Sequence, residues 1–151
     1  MQRADELAVL SREHHVALEM ALRLRRATVA DAQAARAAFL AFFDDEARDH
    51  FRAEEELLIP ALVRHVADDD PDVVRVLREH VEIRRLTQEL AGGEADLDRL
   101  HALGELLNAH VRHEERTLFP RVEAELDEEE LAALGAALLD AEGGAHDPPR
   151  R

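Results

Sequence analysis

"HFRAEEELLIPAL", residues 50–62, and "HVRHEERTLFPRV", residues 110–122, write one pattern twice: His-x-x-x-Glu-Glu-x-x-Leu-x-Pro, with the two histidines sixty positions apart. In a helix, residues four apart stand on one face with Cβ atoms about 5–6 Å apart, so each copy aims a His and a Glu at a common point. A single His-x-x-x-Glu is most often a surface pair. Two copies at matched offsets, each followed by the same Leu-x-Pro, call for a shared cause.

The surroundings of both copies are helical. Apolar residues recur at spacings of three and four in every long segment. The third segment shows it best with Val73, Val76, His80, Ile83, Thr87 and Leu90. The first gives Leu7, Leu10, His14, Ala17, Ala21 and Leu24; the second Phe39, Phe43, Ala47, His50, Glu54, Leu58 and Ala61. The fourth gives Leu100, Leu103, Leu107, His110, Glu114 and Leu118. Every seam is apolar except for one His and, in the two motif-bearing segments, a Glu one turn further on.

Local punctuation sets the expected boundaries. Asp31 starts a helix, Asp70 caps another with Pro71 at its first position, and Gly92 and Gly93 end one, with a left-handed glycine cap expected there. The expected helices cover about 3–28, 32–67, 71–91 and 95–120, with a shorter fifth near 127–141. Pro60 and Pro120 are expected to end or kink their helices. Short connections favour antiparallel neighbours, so the expected fold is all-α: an up-down-up-down four-helix bundle with a short additional C-terminal helix. Residues 1–142 form one domain, and 143–151, "GGAHDPPRR", a flexible tail.

Composition agrees with helices and narrows the function. Hydrophobic residues make up 46% of the 151, yet aromatic residues only 3%, with no Trp or Tyr, while Ala, Leu, Glu and Arg dominate. Nineteen basic against 34 acidic residues leave a formal charge of −15, which repels phosphate backbones and argues against a nucleic-acid partner. The absence of cysteine excludes disulfides, iron–sulfur clusters and thiolate metal sites. No apolar run approaches the ~20 residues of a membrane helix, and the N-terminus lacks the apolar stretch of a signal peptide. A cytoplasmic protein with no membrane partner is the expectation, as a monomer or weak homo-oligomer.

Counted along their helices at 1.5 Å per residue, the four seam histidines fall within roughly 10 Å of one level. Buried imidazoles and carboxylates are costly unless paired or bound to metal, and six converging groups are most naturally explained by cations. Imidazole plus carboxylate without thiolate suits iron, manganese or zinc. The candidate metal ligands are His14, His50, Glu54, His80, His110 and Glu114. Two carboxylates among four imidazoles allow bridging between two ions about 3.5–4 Å apart. His15 has the more polar helical neighbours and is set aside in favour of His14. His113 is expected on a partly exposed face, and His65, His101 and His146 on the surface.

"SREHH", "HFRAEEELLIP", "REHVEI" and "HVRHEERTLFP" together resemble the hemerythrin-like family, also called the HHE cation-binding domain, over about residues 7 to 123. The resemblance implies a four-helix bundle around a non-heme di-iron centre of two iron ions. Glu54 and Glu114 would bridge the irons, and His14, His50, His80 and His110 would be terminal ligands. Ferritin-like di-iron proteins use Glu-x-x-His instead, and no such tetrad occurs here. One departure bears on function. Oxygen-carrying hemerythrins place a second His four residues from the first on the third helix; here those positions hold Val76 and Arg84. Open coordination suits reaction with a small oxidant or diatomic (oxygen, peroxide or nitric oxide), with peroxide or oxygen reduction as the enzymatic form, more than reversible carriage. The alternatives are an oxygen, redox or iron sensing or storage module without turnover, and a structural zinc-binding bundle.

Overall fold

The computed structural model describes residues 3–145, which form five helices and no strand. Helix α1, Ala8–Arg25, follows a 3₁₀ turn at Asp5–Leu7. Helix α2 runs over 32–62, α3 over Pro71–Gly92, α4 over 97–125 and α5 over Glu128–Ala145. Asp70 caps α3 as expected, its carboxylate accepting from the Asp72 N–H at 3.0 Å with Pro71 at the first helical position. Asp31 precedes α2, but its carboxylate turns back to accept from the Thr28 N–H at 2.6 Å and leaves the helix end uncapped. The expected glycine cap does not form. Gly93 is extended at φ −129°, ψ −163°, and the chain passes straight on to Asp96, which caps α4. The remainder of the expected tail, 146–151 with His146, lies outside the described residues.

Helices α2 and α4 are interrupted by wider turns. In α2, π turns cover Phe43–Ala47 and Glu54–Leu58; in α4, one covers Glu114–Leu118. Each is closed by a bond to the carbonyl five residues back: Arg48 to Phe43, Ile59 to Glu54, and Phe119 to Glu114. Pro60 and Pro120 stand two residues past the ends of the last two. Of the two outcomes expected at Pro120, the helix does not end there: α4 continues to Glu125. The π turn has already changed the register, so Pro120 fails to serve only one nearby carbonyl. Glu115 O finds a replacement donor in the Arg3 guanidinium at 2.6 Å.

Side chains bury in two apolar clusters. One gathers Ala21, Leu24, Phe39, Phe43, Phe51, Ile83, Leu103 and Leu107; the other Leu7, Leu10, Leu58, Leu62, Val76, Leu118, Phe119 and Val122. Helix α1 makes its most extensive contact with α4. Gly104 permits it, since a Cβ there would meet the Ala21 carbonyl and the Arg25 amide at 2.9 Å. Helix α5 packs on the start of the chain, with Gly135 against Glu6, and contributes Leu134 and Leu138 to the second cluster. No helix of the described residues is long and apolar enough to cross a membrane.

Candidate metal centre

The polar seam residues occupy the level between the two apolar clusters. His14 comes from α1, His50 and Glu54 from α2, His80 from α3, and His110 and Glu114 from α4. All six are buried; Glu54, His80 and Glu114 have no exposed surface. The four imidazoles meet in pairs, with His14 and His50 Nε2 atoms 3.2 Å apart and those of His80 and His110 3.1 Å apart. Between the pairs lie the carboxylates. Glu54 Oε1 is 3.3 Å from His50 Nε2 and 3.2 Å from His80 Nε2. Glu114 reaches the opposite way, with Oε2 at 3.3 Å from His14 Nε2 and Oε1 against His110 Nε2. Two overlapping groups result: His14, His50, Glu54 and Glu114; and Glu54, His80, His110 and Glu114. Within each, one ligand atom per residue lies within 4.8 Å of every other, and both groups share the two glutamates.

A second ring of carboxylates holds the imidazoles from outside. His14 Nδ1 donates to Glu115 at 2.7 Å, His80 Nδ1 to Glu55 at 2.7 Å, and His110 Nδ1 to Glu79 at 3.0 Å. His50 Nδ1 faces Glu13 at a longer 3.5 Å, without a hydrogen bond. A carboxylate only accepts, so each such contact puts the proton on Nδ1 and presents the Nε2 lone pair to the centre. The doubled glutamate of the repeated motif is thereby explained. Glu54 and Glu114 point inward from their own helices; Glu55 and Glu115 cross to orient a histidine on another. The residues just before His14 and His80, Glu13 and Glu79, face His50 and His110 in return. These four outer carboxylates were not identified from the sequence. The signal for Glu13 and Glu79 is the Arg-Glu-His written at 12–14 and again at 78–80, and that for Glu55 and Glu115 is the second glutamate of the repeated motif.

Two arginines complete matching arrangements. Arg84 pairs with Glu55 at 2.8 Å and lies over the Phe51 ring, which stacks on His80 at 4.0 Å between centroids. Arg3 pairs with Glu115 at 3.0 Å and lies over Phe119, which stacks on His14 at 5.1 Å. Arg84, at a position where a further ligand would be needed on α3, therefore acts through the outer carboxylate. Val76, at the other, is buried in the second apolar cluster.

The electrostatics of the cluster call for positive charge. All four oxygens of Glu54 and Glu114 are buried and make no well-formed hydrogen bond, although imidazole Nε2 atoms stand 3.2–3.3 Å from Glu54 Oε1 and Glu114 Oε2. Burial opposes charging His80, but the carboxylates of Glu114, Glu54 and Glu55 outweigh it and raise the imidazole to about 10. Burial likewise opposes His110, and Glu114 and Glu79 raise it to about 9. His14 and His50 are also raised against burial, by Glu114 and Glu115 and by Glu54 and Glu13 respectively. Burial opposes ionisation of Glu115 too, yet His14, Ser11 and Arg3 hold it down at about 2. An uncompensated buried ion costs several kcal/mol. The donor set of imidazole nitrogen and orphaned carboxylate oxygen fits divalent first-row cations, which would replace those protons.

The remaining histidines stand apart. His15 is exposed, and His65 bonds Glu130 at 2.7 Å, tying the end of α2 to α5. His101, expected on the surface, is half-buried and reaches the Ala27 carbonyl at 2.8 Å. His113 differs more: it is buried, with Nε2 3.6 Å from Asp72, because it faces the start of α3 and not solvent. Neither candidate group includes it.

Residues 5–122 match the family model described as the Hemerythrin HHE cation binding domain. No curated protein and no solved structure matches the chain.

Proposed function

The chain belongs to the hemerythrin HHE cation-binding family, and from that premise we propose that it holds two iron ions between α1, α2, α3 and α4 and uses them on a small oxidant or diatomic. These four helices are read as an up-down-up-down bundle with α5 added. His14 and His50 would hold one ion and His80 and His110 the other, with Glu54 and Glu114 common to both groups. The observation that carries this reading is the sharing of both glutamates between the two four-residue groups, with four buried carboxylate oxygens that make no well-formed hydrogen bond. Six ligand side chains are too many for one tetrahedral ion.

A non-heme di-iron centre, when bound, supplies electrons to oxygen or peroxide. The protein's own part is positional. Glu115, Glu55 and Glu79 keep the Nδ1 protons of His14, His80 and His110 on the outer side, so that Nε2 faces inward. Phe51 and Phe119 keep two of the rings from turning and keep water off their faces. Helix α3 contributes His80 alone, since Val76 is packed away and Arg84 is held by Glu55, which supports open coordination and turnover in place of reversible carriage. The proposed compartment is the cytoplasm and the proposed assembly a monomer or weak homo-oligomer.

Elemental analysis of protein produced with ample iron tests the metal: about two irons per chain are expected, and zinc alone, or less than one metal per chain, overturns the di-iron reading. Repeated exposure of the reduced protein to oxygen or peroxide tests the chemistry. A single, lasting oxidation with consumption of the oxidant is expected. Full recovery of oxygen when the gas is removed, over several cycles, would establish carriage instead.

A further inference from the structure

A cavity of about 280 Å³ runs from the surface to the cluster between α1, the first π turn of α2 and α5. Its lining includes the buried His14, His50 and His110 and the buried apolar side chains of Ala17, Phe42 and Val111. Five carboxylates belong to its lining, Glu13, Asp45, Glu46, Asp49 and Glu142, against one cation, Arg12. Asp45, Glu46 and Asp49 are exposed and enter no ion pair among the described residues, whereas the neighbouring Asp44 is taken by Arg48 at 2.7 Å. His50 provides the independent sign of a ligand's path. It is only 7% exposed, it lines the cavity, and its Nδ1 is the one imidazole nitrogen of the four cluster histidines with no hydrogen-bond partner.

We propose that this cavity is the route by which divalent cations reach the cluster, with Asp45, Glu46 and Asp49 as the charged mouth that gathers them and Glu13 as the step between mouth and His50. The inference rests on the metal-binding reading above. A cleft lined by one sign of charge, with low-dielectric walls, focuses the field and concentrates the opposite ion at its opening. The first π turn gives the mouth its shape: by taking an additional residue between Phe43 and Ala47, it turns Phe42, Phe43 and Ala47 inward and leaves Asp45 and Glu46 outside. The same turn is not followed by a proline and contains none of the six candidate ligands. Helix α5 closes the far side with Leu138, Ala141 and Glu142.

Stopped-flow mixing of the metal-free protein with cobalt(II), followed by its visible absorption, tests the route without reference to activity. The mouth variant Asp45→Asn/Glu46→Gln/Asp49→Asn is expected to load about tenfold more slowly than the parent at low ionic strength. It should reach the same final content, and the gap should close in 0.5 M salt, about the concentration at which surface charges are screened within a few ångströms. A control of equal charge change away from the cavity, Asp68→Asn/Asp69→Asn/Glu94→Gln, should load at close to the parental rate. Ala141→Trp, which narrows the opening, should load more slowly at either salt concentration. Equal rates for mouth variant and parent, or equal slowing by mouth variant and control, overturn the route while leaving the metal reading intact. A parent that takes up no cobalt at all overturns both.

Discussion

At the scale of single residues, the repeated Glu-Glu divides its work between two places. Glu54 and Glu114 lie inside with no well-formed hydrogen bond to their oxygens, while Glu55 and Glu115 lie outside with both a histidine and an arginine. Replacing the two kinds should therefore have different consequences. Glu54→Ala or Glu114→Ala removes the groups shared by both halves of the centre, and the metal should be lost. Glu55→Gln or Glu115→Gln leaves the inner donors in place but weakens the hold on His80 or His14; metal affinity should fall about 10- to 100-fold, the range found for outer partners of metal-binding histidines. His101→Ala, far from the cluster, should keep the full content. Chelator competition measures all five, and outer variants that bind as tightly as the parent would refute the orienting role. The six inner residues were legible because their seams are otherwise apolar, so a polar residue stands out. The outer four were not, because a glutamate on a solvated helix face has no such contrast with its neighbours.

At the scale of helices, the spacing of core residues records which turns are regular. In α1 and α3 the seams step by three and four in strict alternation, and neither contains a π turn. Two consecutive steps of four advance about 80° beyond two full α-turns, too far to stay on one face. Such pairs occur at Phe39, Phe43 and Ala47, at His50, Glu54 and Leu58, and at His110, Glu114 and Leu118, and at each a π turn absorbs the excess. The helices could thus be placed from their apolar residues, and the wider turns could have been found in the same numbers. The end of α3 could not: whether glycine adopts a left-handed cap depends on where the next helix begins, which is tertiary. Packing can also override propensity at Gly104. Alanine is the better helix former by about 1 kcal/mol, yet its Cβ would lie 2.9 Å from the backbone of α1. Gly104→Ala should therefore destabilise by about 1–3 kcal/mol, as overpacking does, and denaturant unfolding that shows a gain would refute the close crossing. The start of α3 carries its own test. The Arg121 guanidinium holds the Asp70 carboxyl below its ordinary value, so its stabilisation is present above the unfolded value near 3.8 and lost as pH falls through the lower folded one. Asp70→Asn keeps an oxygen that can cap the helix but loses the charge paired with Arg121, so it should cost about 0.5 kcal/mol at neutral pH, with the difference fading in strong acid.

At the scale of the whole molecule, a polar layer separates two apolar clusters that cannot merge across it. Four helices converge there, and the side chains they contribute carry buried carboxylates whose oxygens make no well-formed hydrogen bond. Without a cation, the layer must be neutralised by protons on buried imidazoles, which burial itself resists; with one, the same nitrogens and oxygens become ligands. Metal should consequently act as the bolt of the bundle, binding the folded chain and not the unfolded one, in which the six ligands are spread over a hundred positions. A site filled at a thousand times its dissociation constant adds about 4 kcal/mol to the folded state. For a domain of this length, each kcal/mol moves the melting midpoint by about 2–4 °C, so removal of the metal should lower it by about 10 °C. Calorimetry of the loaded protein and of the same sample after chelation and dialysis measures the difference. A second comparison separates loss of the bolt from damage by the chelator: cobalt(II) or iron(II) added back should restore the midpoint in the parent and leave Glu54→Ala/Glu114→Ala unmoved. If the parent melts at one temperature whether loaded or stripped, the orphaned carboxylates are tolerated by the fold itself, and the layer is held by its own protons.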